Sequence, residues 1–111
     1  MTVRDLINKN LFKVINEGDN LNREIGKAFC CDLLSIAMSK APAGCAWVTV
    51  MGNVNTLAVA TLTDAAVVIL AENSTLDSTA AAKAAEQGVT VLATEKPIFD
   101  TALQIHEFIN S

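Results

Sequence analysis

The sequence predicts an α/β fold, a three-layer sandwich around a mostly parallel sheet. A C-terminal βαβαβα unit is preceded by an N-terminal helix and strands. Three observations predict it. The apolar runs Trp47–Val50, Val67–Leu70 and Val89–Leu92 recur about every 21 residues, roughly the length that a strand, two short loops and a helix occupy. The runs carry apolar residues on both faces rather than on one, as in strands covered above and below. Each is followed by a segment that suits a helix. The 111 residues form a single predicted domain, 1–111, with no linker.

The elements follow in order. Thr2 is a good N-cap with Asp5 three residues on, and Val3, Leu6 and Ile7 share one helical face. Leu11–Ile15 reads as a strand closed by the turn-forming Glu17-Gly18-Asp19-Asn20. Leu21 to Ala28 is polar and glycine-broken, a loop leading into an extended Phe29-Cys30-Cys31. Asp32 is the expected cap of a helix carrying Leu33, Leu34, Ile36, Ala37 and Met38, stopped by Lys40-Ala41-Pro42-Ala43-Gly44. These first 44 residues are expected to add a strand or two and a helix to one edge of the sheet.

The second half is more regular. Cys45–Met51 is a strand broken by Gly52-Asn53-Val54-Asn55, and Thr56–Thr63 suits a helix. Ala66–Ala71 is the next strand. Asp77 or Ser78 caps an alanine-rich helix that ends at Gly88. Val89–Ala93 is the third strand, and Pro97 opens a last helix with Ile98, Ala102, Ile105 and Ile109 at helical spacing. The Thr56–Thr63 helix has no charge, so it is expected to be buried on most sides. It lies either under the N-terminal elements or against a second subunit, with Leu57, Ala58 and Leu62 as candidate interface residues.

Composition narrows the function. Apolar residues make up 51% and charged residues 18%, the reverse of a disordered chain. Eight basic against twelve acidic side chains leave a net charge of −4, against a nucleic-acid partner. No apolar run is long enough for a bilayer, and the first residues carry no signal-peptide core, so a cytoplasmic protein without membrane partners is expected. Three cysteines, two adjacent, fit a reducing compartment. With a mean hydropathy of +0.37 and charge-poor helices, a homodimer is expected.

In open α/β sheets, ligands bind at the carboxyl ends of the strands. Those ends here are Met51–Asn55, Glu72–Thr75 and Thr94–Lys96. They are rich in amides and hydroxyls, which orient a ligand rather than attack it. The same residues serve equally as turn formers and N-caps. The helix starts at Asn55 and Pro97 are candidate anion donors. The candidate ligand residues are Asp32, Gly52, Asn53, Asn55, Asn73 and Thr94, with Asp32 sharing a polar pocket with Arg23 or Asn53. Gly52 stands alone where a dinucleotide fingerprint needs three glycines, and no P-loop is spelled. There is no C-x-x-C, so no metal or cofactor is expected. Cys30, Cys31 and Cys45 read as small buried core residues, and His106 as a partly buried helix residue beside Phe99, Ala102 and Leu103.

These residues resemble a family. Leu21-Asn22-Arg23-Glu24-Ile25 and Phe29-Cys30-Cys31-Asp32-Leu33-Leu34-Ser35 look like the entry of DRTGG domains. Trp47–Val50, Asn55 ahead of Ala58-Val59-Ala60, Val67–Leu70, and Gly88–Thr94 with Phe99 continue the likeness. It runs from the opening Met1-Thr2-Val3-Arg4-Asp5-Leu6 over essentially the whole chain. The sequence departs from the eponymous run, since Glu24-Ile25-Gly26-Lys27-Ala28 retains one glycine. If that loop contacts a ligand in relatives, the contact here is lost or changed. The resemblance implies a regulatory or accessory role. DRTGG domains occur alone, beside CBS domain pairs, within some phosphotransacetylases, and as relatives of the N-terminal domain of HPr kinase/phosphorylase. That kinase's chemistry belongs to a separate P-loop domain, and no catalytic residues carry over. The expectation is a non-catalytic regulatory module that dimerises and binds a small metabolite or a partner enzyme. The alternatives are a protein-protein assembly domain without a pocket, and a small enzyme that uses Asp32, His106 or Cys45.

Overall fold

The computed structural model describes all residues from Met1 to Ser111. Ten elements alternate along the chain: α1 (Val3–Asn8), β1 (Lys13–Asn16), β2 (Lys27–Cys30), α2 (Leu34–Lys40), β3 (Cys45–Thr49), α3 (Val54–Thr63), β4 (Val67–Leu70), α4 (Ser78–Gln87), β5 (Val91–Ala93) and α5 (Ile98–Ile109). The five strands form one sheet in the order β1-β5-β4-β3-β2. β2 to β5 are parallel neighbours, and β1 runs antiparallel beside β5. The three-layer, mostly parallel arrangement is the one expected, with one difference at the N-terminus. Its strands do not share an edge: β1 closes one side of the sheet and β2 the other.

Strand alternation divides the core in two. Trp47, Val68, Leu70 and Val91 face Ala37 of α2, Leu57, Val59 and Ala60 of α3, and Ala80 and Ala84 of α4. Ala46, Val48, Val67, Ile69 and Leu92 face Val3 and Leu6 of α1 and Ile105 of α5. Successive parallel strands moving one way with right-handed crossovers put α2, α3 and α4 on one face. α5 leaves β5 for the opposite face and packs over β2 and β3.

The helix ends carry the expected local chemistry. Thr2 and Asp5 form a reciprocal capping box. Asp77 accepts from Ala80 N–H, and Gly88 ends α4 in the left-handed region at φ 67°. Asp32 is different. α2 begins at Leu34 with Leu33 as its cap and no side-chain bond there. The Asp32 carboxylate instead turns to β3, for reasons given below. α3 is buried on one side rather than most: Thr56, Leu57, Val59 and Ala60 face inward, while Ala58 and Leu62 are exposed. Its outer stripe is supplied by Asn55, Ala58, Thr61 and Leu62, so the absence of charge did not signify burial.

The loop from Glu17 to Gly26 has to travel from one sheet edge to the other, and it does so across the amino ends of β5, β4 and β3. It is tied down at each crossing. Asp19 N–H donates to Gly88 carbonyl (3.2 Å) and Gly26 N–H to Gly44 carbonyl (3.0 Å). Asn20 donates from Nδ2 to Ala66 carbonyl at 2.9 Å and accepts at Oδ1 from Thr90 Oγ1 at 2.9 Å. Arg23 makes a two-pronged pair with Asp64, 3.0 and 2.8 Å. The Arg23 hydrogen bond holds the Asp64 carboxyl below the usual carboxylate range, and the same bond raises Arg23. The loop therefore meets three left-handed turns, Gly44, Asp64 and Gly88, each standing just before a strand. This segment straps the bottom of the sheet.

Candidate functional site

The topology marks one place on the sheet. α4 leaves β4 toward one face and α5 leaves β5 toward the other, so the carboxyl ends of β4 and β5 form the switch point where open α/β sheets take ligands. A cleft of about 360 Å³ opens there, lined by Lys13, Asn73, Ser74, Ala93, Thr94 and Glu95. That volume lies at the small end of ligand pockets. A groove of the same size lies along α5, and a smaller one runs beside the strap. Neither stands at a strand switch.

The cleft is built by two loops pinned to each other. Glu72 and Asn73 follow β4 in consecutive left-handed conformations, φ 58° and 59°. Asparagine accepts this region readily, glutamate does so at a cost of order 1 kcal/mol. The strain is held by Glu72 N–H to Lys96 carbonyl (2.9 Å) and Asn73 N–H to Thr94 carbonyl (3.0 Å). The Glu72 carboxylate then accepts Ile98 N–H at 3.2 Å, filling the first turn of α5. The anion position expected there is thus taken by the chain's own acid. The α3 start is taken in the same way, because Asn53 Oδ1 accepts Thr56 N–H at 3.1 Å.

Several polar groups of the cleft are already bonded. Ser74 Oγ donates to Ala71 carbonyl at 2.7 Å, and Thr94 Oγ1 accepts Lys96 N–H at 3.2 Å. The Asn73 carboxamide, the Lys13 ammonium and the Glu95 carboxylate make no hydrogen bond or ion pair within the chain. These three face the opening with their bonding capacity free.

The six candidate ligand residues divide between two places, as the fold dictates. Asn73 and Thr94 come together in the cleft. Asp32, Gly52, Asn53 and Asn55 lie at the carboxyl ends of β2 and β3 instead. Asp32 Oδ1 accepts from Thr49 Oγ1 (2.7 Å) and Val50 N–H (2.9 Å), locking the turn after β3. Nearby, Trp47 Nε1 donates to Cys31 carbonyl at 3.0 Å. Gly52 carbonyl accepts Asp77 N–H at 3.0 Å, and a Cβ at Gly52 would fall onto the Thr75 carbonyl, 2.8 Å from its carbon. Asn55 is exposed on the first turn of α3. Arg23, at the amino end, does not meet Asp32. Lys13, Ser74 and Glu95 are cleft residues outside the expected set. Ser74 and Glu95 sit in the strand-end segments singled out by the sequence, whereas Lys13 arrives on the antiparallel β1, which no local pattern places.

Leu57 belongs to the core, 1% exposed, while Leu62 is 71% exposed, so only the outer part of the expected interface set is on the surface. Cys30 is exposed and Cys31 half-buried, against the expectation of core residues; Cys45 is buried. Burial pushes the Cys45 thiol up to about 11. His106 is exposed on α5, with Asn110 Nδ2 near its ring at 3.4 Å. Asp32, His106 and Cys45 therefore stand at a strand end, on an outer helix face and inside the core. No three His, Cys, Asp or Glu side chains converge on a metal-sized site. No helix is long and apolar enough to cross a membrane.

No family model matches the chain, and no curated protein matches it. Among solved structures it is similar to the CBS and DRTGG domains of the regulatory region of Clostridium perfringens pyrophosphatase, complexed with an activator, diadenosine tetraphosphate. The TM-score is 0.72 at 13% identity, over 93% of this chain and 44% of that one. The chain thus spans under half the length of that solved chain. At that identity the likeness is one of fold, and the fold is DRTGG-like.

Proposed function

We propose that this chain is a non-catalytic regulatory module of the cytoplasm, acting as a homodimer and binding a small polar metabolite in the cleft at the ends of β4 and β5. The observation that carries this reading is the free carboxamide of Asn73, raised on a strained turn beside an unpaired Lys13 and Glu95 at the switch point. An amide, a cation and a carboxylate within one cleft suit a ligand with hydroxyl or base-edge groups and an anionic tail. They offer no nucleophile paired with a base, which supports binding over turnover. Adenine nucleotides are the first probes, because the similar solved structure holds diadenosine tetraphosphate.

Titration calorimetry with diadenosine tetraphosphate, ATP and AMP tests the reading, on the wild type and on Asn73→Gly, Lys13→Gln and Thr94→Val. Glycine keeps the left-handed turn while removing the carboxamide. Asn73→Gly is expected to weaken binding about tenfold, 1.4 kcal/mol, with the melting temperature held. Binding that is untouched by all three substitutions would remove the cleft as the site. Absence of binding across the nucleotide panel would favour the second reading, an assembly domain, for which the exposed Leu33, Ile36, Leu62 and Phe99 speak.

A further inference from the structure

β2 is an edge strand whose outer side is open from Lys27 to Cys30, just beyond the antiparallel bridge of Thr2 to Glu24. It pairs with β3 alone, through four unbroken positions from Lys27 against Cys45 to Cys30 against Val48. Cys31 N–H reaches the Val48 carbonyl, and strand alternation then turns the N–H and C=O groups of Ala28 and Cys30 to the open side. The other edge is managed differently. The β1 ladder is broken between Val14 and Asn16, an irregularity that discourages further pairing. β2 has no such break and no proline, and nothing lies within 4 Å of a Cβ built on Gly26 just before it.

The surroundings of this edge are apolar and its ends are oppositely charged. α2 leaves Leu33, Ile36 and Met38 exposed, and α5, packed over β2, leaves Phe99 and Leu103 exposed. Lys27 opens the strand without an ion-pair partner. Asp32 follows the strand with Oδ1 engaged and Oδ2 free. Antiparallel pairing of β2 with its own copy brings the lysine end of each strand to the aspartate end of the other.

We infer that β2 is the interface between two copies of this chain. The strands join edge to edge around a two-fold axis near Phe29, with Ala28 of one copy opposite Cys30 of the other, so that the two sheets run as one. This rests on the dimer in the proposed function and gives it a surface.

Analytical ultracentrifugation of the full chain tests it, with Ala28→Pro, Cys30→Glu and Leu62→Glu beside the wild type. Proline at 28 removes an outward N–H and no bond to β3, and circular dichroism with thermal melting reports whether each variant folds. The wild type and Leu62→Glu are expected to sediment as dimers, Ala28→Pro and Cys30→Glu as folded monomers. In a separate sample, Ala28→Cys is expected to link covalently to Cys30 of the second copy on mild oxidation. Opposed residues of a hydrogen-bonded antiparallel pair lie about 5.5 Å apart, within disulfide reach. Folded edge variants that remain dimers would overturn the inference, as would dissociation by Leu62→Glu alone. A wild-type monomer would overturn it too, and Asn73-dependent nucleotide binding by that monomer would leave the cleft standing.

Discussion

Replacing Thr90 with valine isolates the polar anchoring of the strap between β1 and β2. Thr90 is fully buried. Its Oγ1 accepts Gly18 N–H at 3.1 Å and donates to Asn20 Oδ1 at 2.9 Å. Valine preserves the shape, so the change removes bonding without opening a cavity. Two hydrogen bonds are lost, each worth about 1 kcal/mol net. Gly18 N–H and Asn20 Oδ1 are then left partly enclosed without partners, which adds a further cost of order 1 kcal/mol. The expected loss is about 2–3 kcal/mol, a drop of about 10 °C in Tm for a chain of this size. Arg23→Ala supplies the contrast. It breaks an ion pair with two short contacts, but the pair is largely solvent-exposed, and such pairs contribute about 0.2–1 kcal/mol. The ordering to measure is therefore a buried hydroxyl above a surface ion pair. Urea unfolding gives it directly, as a shift of midpoint at constant slope. A Thr90→Val protein within about 0.5 kcal/mol of wild type, or an Arg23→Ala protein that loses more, would refute the reasoning.

Two further outcomes follow from other parts of the structure. Gly52→Ala drives a methyl group into the Thr75–Leu76 backbone and disturbs the bond from Asp77 N–H to Gly52 carbonyl. It is expected to cost about 1–3 kcal/mol, read as a lower melting temperature; an unchanged melt would mean the two loops separate freely. Burial raises the Cys45 thiol in the folded state from 9.0 to about 11. Its contribution is complete below the unfolded value and is lost as pH rises through the folded one. Stability should therefore decline from about pH 9 to 11, and Cys45→Ala should flatten that limb in pH-dependent urea titrations. A wild-type limb matching that of the variant would count against the assignment.

Much of the fold was legible because it depends on neighbours in sequence. Thr2 with Asp5, Asp77, and Gly88 are cap chemistries of a few residues each, and all three act as their spacing implies. The recurrent apolar runs announced parallel strands covered on both faces; β3 and β4 are buried throughout, and β5 is buried at Val91 and Leu92. Asn73 and Thr94 were legible as strand-end polar residues for the same reason. Lys13 was not, because its place in the cleft comes from an antiparallel pairing with β5 across a sequence separation of 80.

Local pattern alone determined which segments are helices and strands and which residues could cap or turn them. It did not determine what an ambiguous polar side chain bonds to. Asp32 has the chemistry of a cap, yet Thr49 and Val50 of the adjoining strand claim its carboxylate. The charge-free α3 helix and the small cysteines suggested burial, but exposure is set by which layers lie outside an element, and nothing covers Ala58, Leu62 or Cys30 within this chain. The edge positions of β1 and β2, the strap that must join them, and the cleft at β4 and β5 were decided by tertiary structure. They arise from hydrogen bonds between residues tens of positions apart, such as Asn20 with Ala66 and Thr90, and the free energy of those contacts exists only once the sheet has assembled.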